Sequence, residues 1–294
     1  MPISSPRDWF LAKGLEIRCD RRPLLMGIVN VTPDSFYDGG QYAKPEQAVA
    51  HALKLVEQGA DILDIGAEST RPGARPVSEQ DELARVIPVV AELARRVTVP
   101  ISVDTTKSTV ARQALDAGAS IINDVSALRF DGEMATVIAR SGAGVVLMHM
   151  QGTPQTMQKS PHYENVVEEV GRFLDERMQA AQQAGIARTN IVLDPGLGFG
   201  KLLVHNLDLL NHLSSFDMLN RPLLIGLSRK AFIGQIVDRP VEQREWGTAG
   251  AIALAVERGA QILRVHDVAM MADVVKVAAA VKARAASARQ EHYA

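Results

Sequence analysis

Short apolar runs alternate along this chain with longer amphipathic stretches, and most of the runs end in a polar side chain. At four places the handover is the same: a helical pattern stops at a Gly-Ala pair and an apolar run follows. These are Gly59-Ala60, Gly118-Ala119, Gly142-Ala143 and Gly259-Ala260. Glycine just past a helix takes the left-handed conformation without steric cost. An apolar run directly after it reads as a parallel strand buried on both faces. Eight such strands are expected, at Leu24–Asn30, Ile62–Gly66, Val99–Asp104, Ile121–Asp124, Val145–His149, Ile191–Asp194, Leu223–Leu227 and Ile262–His266.

The intervening segments carry helical spacing. Val49, Ala52, Leu53 and Val56 share one face, with Pro45 suited to a first helical position. Ser78 three residues before Asp81 reads as a capping box leading into Leu83, Val86, Ile87 and Val90. Val167, Val170, Leu174 and Ala181 mark a longer helix, and Ala249, Ala253 and Val256 a small-residue one. Val274, Ala278 and Val281 belong to a closing helix whose tail is expected to fray beyond about Arg284. Leu15–Cys19 alternates like a short strand placed to cover the barrel bottom.

Eight strand-helix repeats predict an α/β fold, a (β/α)8 TIM barrel with a short N-terminal strand or hairpin extension. The rival is a doubly wound open sheet, which ordinarily carries a Gly-x-Gly-x-x-Gly turn after its first strand. Here that strand runs instead into Val31-Thr32-Pro33-Asp34-Ser35-Phe36. No linker or composition shift divides the chain, so one domain is expected over residues 1–294, its core at about 24–283.

Composition narrows the function. The 294 residues are 47% hydrophobic and 22% charged with a net charge of −2, so no global basic field is present to hold nucleic acid or an anionic membrane. Aromatic residues, at 4%, are too sparse for base-stacking platforms. No run is apolar for the roughly 18 residues a bilayer crossing needs. The start lacks a secretion-signal pattern, and the single cysteine, Cys19, excludes an internal disulfide and a Cys-rich metal site. A cytoplasmic protein is expected.

In a (β/α)8 barrel the C-terminal strand ends and the loops after them form the active face. Read in order they carry Asn30, then Glu68, Thr70 and Arg71, then Asp104, Asn123, His149, Asp194, Ser228 with Lys230, and Arg264 with His266. Any one of these is accountable as a turn or cap residue, but so many facing one mouth point to a site. Asp104 and Asp194 with Asn123 suit a flat heterocycle bearing amine and ring N–H donors. Arg264 and His266, two apart on one strand, face the same side and suit a phosphate group. Long Gly/Pro-bearing loops at Val31–Ala43 and Ala67–Val77 suit lids. Gly196-Leu197-Gly198-Phe199-Gly200-Lys201 has the wrong spacing for a nucleotide loop and reads as a tight turn presenting Phe199.

These segments resemble the dihydropteroate synthase family of pterin-binding barrels. The resemblance runs from about residue 26 to 267. It is carried by Gly27–Phe36, Asp64–Gly73, Ser102-Val103-Asp104-Thr105, Ile122-Asn123-Asp124-Val125, Met148–Gly152, Asp194–Lys201, Gly226–Lys230 and Arg264-Val265-His266-Asp267. It implies a transferase of folate biosynthesis that joins 4-aminobenzoate to 6-hydroxymethyl-7,8-dihydropterin diphosphate, releasing pyrophosphate and 7,8-dihydropteroate. Asp104, Asn123, Asp194 and Lys230 would hold the pterin. Asn30 would meet a magnesium ion on the diphosphate, with Arg264 and His266 on the phosphates. Thr70, Arg71, Pro72, Phe199, Ser228 and Lys230 would shape the aminobenzoate site, the target of sulfonamides. Asp104, Lys230, Arg264 and His266 would carry the chemistry, in a homodimer.

Two residues depart from the family pattern: Tyr37 where a small hydroxyl residue is expected, and Leu202 where Thr or Ser is usual. The nearest alternative is a pterin barrel that transfers a methyl group from methyltetrahydrofolate to a corrinoid protein. It has no use for the Arg264/His266 pair or the Thr70-Arg71-Pro72 loop. A catalytically silent pterin-binding barrel is the third reading.

Overall fold

In the computed structural model, residues 8–19, 22–32, 45–68 and 76–292 are described, with side chains as far as Arg284. An antiparallel hairpin of β1 (Asp8–Phe10) and β2 (Glu16–Arg18) precedes the main body. The parallel strands follow: β3 (Leu24–Asn30), β4 (Ile62–Gly66), β5 (Ile101–Asp104), β6 (Ile121–Asp124), β7 (Gly144–Met148), β8 (Ile191–Asp194), β9 (Leu224–Gly226) and β10 (Ile262–Val265). Their order is β8-β7-β6-β5-β4-β3-β10-β9, and a parallel bridge between Leu193 and Leu223 joins the two ends. The sheet is therefore closed, and the open-sheet alternative is discarded. The eight expected strands are all present, trimmed at the ends to Ile101, Met148, Gly226 and Val265.

The helices between strands are α1 (Pro45–Glu57), α2 (Glu79–Leu93), α3 (Ser108–Ala117), α4 (Met134–Ser141), α5 (Val166–Gln183), α6 (Leu203–Asn211), α7 (Ala231–Val237) and α8 (Glu245–Glu257), with α9 (Val268–His292) closing the fold. Pro45 opens α1 as expected. Ser78 caps α2, its Oγ accepting the Asp81 N–H at 3.1 Å. The four Gly-Ala junctions hold their glycines at φ between +66° and +130°. One expectation fails at the C-terminus. The backbone of α9 stays helical to His292 rather than fraying at Arg284, as an alanine-rich run favours. Val274, Ala278 and Val281 lie on that helix as expected: Val274 and Ala278 pack against the core beside the buried Met271 and Val275, and Val281 is exposed.

Alternation along the strands separates two cores. Outward positions such as Leu25, Leu63, Val103, Ile122, Val145, Leu193 and Leu263 pack against the helices. Inward positions Leu24, Met26, Ile62, Ile121, Val146, Val192, Leu224 and Ile262 fill the lower barrel. Trp9, Leu11 and Cys19 of the hairpin join that inner cluster, and Trp9 Nε1 donates to the Asn190 carbonyl at 2.8 Å. The hairpin is the expected cover of the barrel bottom. Chemistry is left to the opposite end.

Candidate active site

Further along five of the eight strands, the inward position carries an acid, an amide or a guanidinium. Ile62 gives way to Asp64, Ser102 to Asp104, Ile121 to Asn123, Val192 to Asp194 and Ile262 to Arg264. Register sets Asn30, Gly66, Asp104 and Asn123 in one row across four neighbouring strands: Asn30 lies beside Gly66, Gly66 beside Asp104, and Asp104 beside Asn123. Gly66 leaves the flank of Asp104 uncovered: a Cβ there would stand 3.4 Å from that of Asp104, in ordinary van der Waals contact. On the far side of the barrel, a Cβ at Gly226 would meet nothing within 4 Å, so the space beside Arg264 is open.

A hydrogen-bonded network spans four strands here. Arg264 donates from Nε to Asp64 at 2.6 Å and from Nη2 to Asp104 at 2.9 Å. Asn123 donates from Nδ2 to the same Asp64 oxygen at 3.0 Å. Asp64 is fully buried, and its other oxygen has no hydrogen-bond partner among the described residues. Asp64 opens the Asp64–Gly73 segment but carries no assigned role in the sequence; the signal available is an acid in mid-strand, flanked by Ile62, Leu63 and Ile65. The Arg264 guanidinium thus lies on two carboxylates, as an ion partner for neighbouring acids.

Burial raises the two pterin-side acids. Asp104 is pushed up to about 7 by desolvation, with Arg264 opposing the rise and Asp64, Glu82 and Asp124 adding to it. Asp194 is pushed up to about 6 by desolvation, restrained by the Gly196 N–H, which reaches its Oδ1 at 2.7 Å, and by Lys230, Lys201 and Arg264. Burial lowers Lys230 to about 8, with Asp194 opposing that fall. The site is therefore poised to change charge near neutrality.

Lys230 follows a strained turn. Arg229 takes φ +58°, a conformation that costs a non-glycine residue roughly 1–2 kcal/mol. Its guanidinium is held by Asp267 at 3.0 Å. Beyond the turn, Lys230 Nζ lies 3.8 Å from the centroid of the Phe199 ring. Phe199 is presented as expected, by a turn in which its N–H donates to the Gly196 carbonyl at 3.1 Å. Ser228 and His266 form a separate pair, Oγ to Nδ1 at 2.8 Å.

Other expected residues take different places. His149 is buried, its Nδ1 2.9 Å from Lys201 Nζ, and burial with the Lys201 and Arg129 charges drives it down to about 2. It is a buried packing residue just past the end of β7, in ring contact with Tyr163 and Phe173. Lys201, lowered to about 7 by burial, also donates to the Gly196 and Phe199 carbonyls and so staples the turn behind Asp194. Glu68 pairs with Lys107, which also holds the buried Glu82. Thr70, Arg71 and Pro72 of the second loop, and Pro33 to Gly40 of the first with Tyr37, lie outside the described residues. Leu202 stands at the N-cap of α6, where a Thr or Ser hydroxyl would cap; the His205 ring accepts its N–H at 3.2 Å instead.

A cavity of about 280 Å³ opens beside Asp104, walled by Glu68, Thr105, Val125, Phe130 and Pro154. A larger groove of about 810 Å³ between α5 and α6 holds none of the candidate residues.

The model of the pterin binding enzyme family matches residues 26–266, a span that runs from β3 to His266 and contains Asp64, Asp104, Asn123, Asp194, Lys230 and Arg264. Dihydropteroate synthase of Haemophilus influenzae is 48% identical over 255 residues, covering 87% of this chain and 92% of the relative. The chain belongs to the dihydropteroate synthase family. Among solved structures, Xanthomonas albilineans dihydropteroate synthase with 4-aminobenzoic acid superposes with a TM-score of 0.88 at 49% identity, over 95% of this chain and 99% of that one. The same enzyme in complex with 7,8-dihydropteroate gives 0.84 at 47% identity, over 93% and 99%. Membership of the dihydropteroate synthase family accounts for a barrel with acids, amide and cations at one end.

Proposed function

We infer that this protein is a dihydropteroate synthase, a transferase of folate biosynthesis built as a single domain. It condenses 6-hydroxymethyl-7,8-dihydropterin diphosphate with 4-aminobenzoate to give 7,8-dihydropteroate and pyrophosphate. The observation that carries the reading is the convergence of Asp104, Asn123, Asp194, Lys230 and Arg264 on one barrel end.

In the proposed mechanism, the Asp194 carboxylate and the Asn123 amide oxygen accept from the N–H groups along the edge of the pterin, and Lys230 donates to its acceptors. The C–O bond to the diphosphate breaks first, the electron pair leaving with the diphosphate. Positive charge then grows on the pterin methylene, where Asp104 and Asp194 in a buried setting lower its cost. His266 and Arg264 face the departing charge. The arylamine nitrogen attacks the methylene, the C–N bond forms, and one proton leaves that nitrogen. An arylamine is nucleophilic enough to need no strong base. Phe199, Ser228 and Lys230, with Thr70, Arg71 and Pro72, border the arylamine.

Magnesium fits as an ion carried by the substrate. Among the described residues no cluster of three or more His, Cys, Asp or Glu is placed to hold a metal. Asn30 offers one hard amide oxygen, and magnesium is commonly bound by few protein oxygens together with waters and substrate phosphates. When bound there it would neutralise charge on the diphosphate.

A homodimer is the assembly this reading favours. Ile236 on α7, Trp246 and Leu254 on α8, and Val277 and Val281 on α9 are all exposed, Trp246 by 80%. Apolar side chains gathered on neighbouring helices suit burial against a second copy. Among the described residues no helix is long and apolar enough to cross a membrane, and a lone cysteine fits the reducing cytoplasm.

The test is direct. The purified protein, given the pterin diphosphate, 4-aminobenzoate and magnesium, should release one pyrophosphate per dihydropteroate formed. A sulfonamide should compete with 4-aminobenzoate. Asp194→Ala should abolish pterin binding by calorimetry; retained affinity would count against the assignment.

A further inference from the structure

Asp64 sits at the centre of the barrel and touches two of the residues assigned to the substrate. One of its oxygens, Oδ2, accepts from Arg264 Nε at 2.6 Å and from Asn123 Nδ2 at 3.0 Å. The Asn123 bond is enclosed, since Asp64 is fully buried and Asn123 nearly so, and the Arg264 bond is part-buried. A hydrogen bond to a charged group in such a setting is stronger than one between neutral groups and fixes the orientation of its partners.

Each bond has a chemical consequence. Arg264 has a planar fork of donors, and its charge can be presented in several ways. With Nε on Asp64 and Nη2 on Asp104, the plane of the guanidinium is fixed by two strands. Asn123 could present either end of its amide to a ligand. With Nδ2 donating to Asp64, the amide is oriented with its oxygen turned away from the carboxylate, as an acceptor for a ligand donor. Asp64 Oδ1 remains a buried acceptor without a partner among the described residues, which is costly to maintain for packing alone. A purely structural residue here would more cheaply be apolar, as Leu63 and Ile65 on the same strand are.

We propose that Asp64 is a positioning residue for the transfer reaction, acting through Arg264 and Asn123: it aims the guanidinium and selects the face of the amide that meets the pterin. The inference rests on the pterin-transfer reading above. It places a third carboxylate in the site, one that orients groups without itself being required to touch the reacting atoms.

A substitution cycle tests it. Asp64→Asn keeps the shape but supplies a donor where two donors must be received. It should lower kcat/KM for the pterin diphosphate by about ten- to a hundredfold, the scale seen when an orienting partner is lost. The KM for 4-aminobenzoate should change little. In an Arg264→Met background the same change should cost far less, because its main partner is already gone. Since Asp64 also raises Asp104, alongside Glu82 and Asp124 and against Arg264, the acid limb of the pH profile should move to lower pH. If Asp64→Asn does not fold, Asp64→Glu takes its place in the same cycle. It keeps the charge but displaces the oxygens. Equal losses with and without Arg264, or no loss in a folded variant, overturn the proposal. An inactive parent enzyme would instead overturn the functional reading itself.

Discussion

The ammonium of Lys230 rests 3.8 Å from the centre of the Phe199 ring, so one cation serves two neighbours. Asp194 supplies its charge partner and Phe199 supplies a π face. The approach depends on Gly198. A Cβ there would lie 2.9 Å from Lys230 Cδ, and its φ of +84° disfavours any other residue. Phe199→Leu keeps apolar bulk but removes the π face. It should raise the KM for 4-aminobenzoate several-fold while altering pterin affinity less, on the scale of about 0.5–2 kcal/mol for a partly desolvated cation–π contact. Lys230→Met should do the reverse, weakening pterin binding most. Steady-state kinetics with each substrate varied separately distinguishes the two.

The pH profile follows from the same side chains. Asp104 and Asp194 must be ionised to accept N–H bonds, and burial raises them to about 7 and about 6. Activity should therefore fall as pH drops through 7 toward 6. Lys230 must be protonated, and burial lowers it to about 8, so activity should fall again as pH rises past 8. Plotting kcat/KM for the pterin diphosphate from pH 5.5 to 9 should give a narrow bell. A plateau across that whole range would be incompatible with these groups doing the binding.

How much of this was legible in the sequence depends on distance along the chain. The eight strands were readable because burial on both faces writes a continuous apolar run, and the Gly-Ala junctions because one backbone conformation demands them. Asp104, Asn123 and Asp194 were readable because each lies at or next to the end of such a run. Asp64 was not, since an acid inside a strand gains meaning only when Arg264, two hundred residues later, arrives beside it. His149 ended a run like the others but met Lys201, Tyr163 and Phe173 instead of the mouth. Val281 followed the helical period correctly, yet the period cannot say whether a face meets the barrel or lies open.

Asp104 should reveal a trade between activity and stability. Its acid is raised in the folded state, so the fold holds more protons than the unfolded chain between about pH 4 and 7. Stability contributed by this group therefore falls as pH rises through that window. Asp104→Asn removes the ionisation while keeping an acceptor, and Arg264 retains Asp64 as its partner. At pH 8 the variant should melt at the same temperature or a few degrees higher than the parent, while kcat/KM drops by orders of magnitude. Calorimetric melting beside kinetics checks both halves, and a large fall in melting temperature would show that the Arg264 pair dominates.

Trp9 makes the opposite case, a residue that holds the barrel without serving its mouth. It is fully buried, packs with Met26, Ile62 and Val146 inside the lower barrel, and spends its one polar atom on the Asn190 carbonyl. The fit against β7 is close: a Cβ on Gly144 would lie 2.9 Å from Trp9 Nε1 and 2.5 Å from Leu11 Cδ2. Trp9→Ala should cost about 3–5 kcal/mol, as large-to-small changes of buried aromatic residues do, and Gly144→Ala should destabilise by forcing the hairpin away. Urea unfolding measures both. Because the polar layer from Asp64 to Arg264 separates the hairpin from the mouth, the folded fraction of each variant should keep a kcat close to that of the parent. Loss of kcat in folded Trp9→Ala, at temperatures well below its melting point, would mean the two ends of the barrel are coupled.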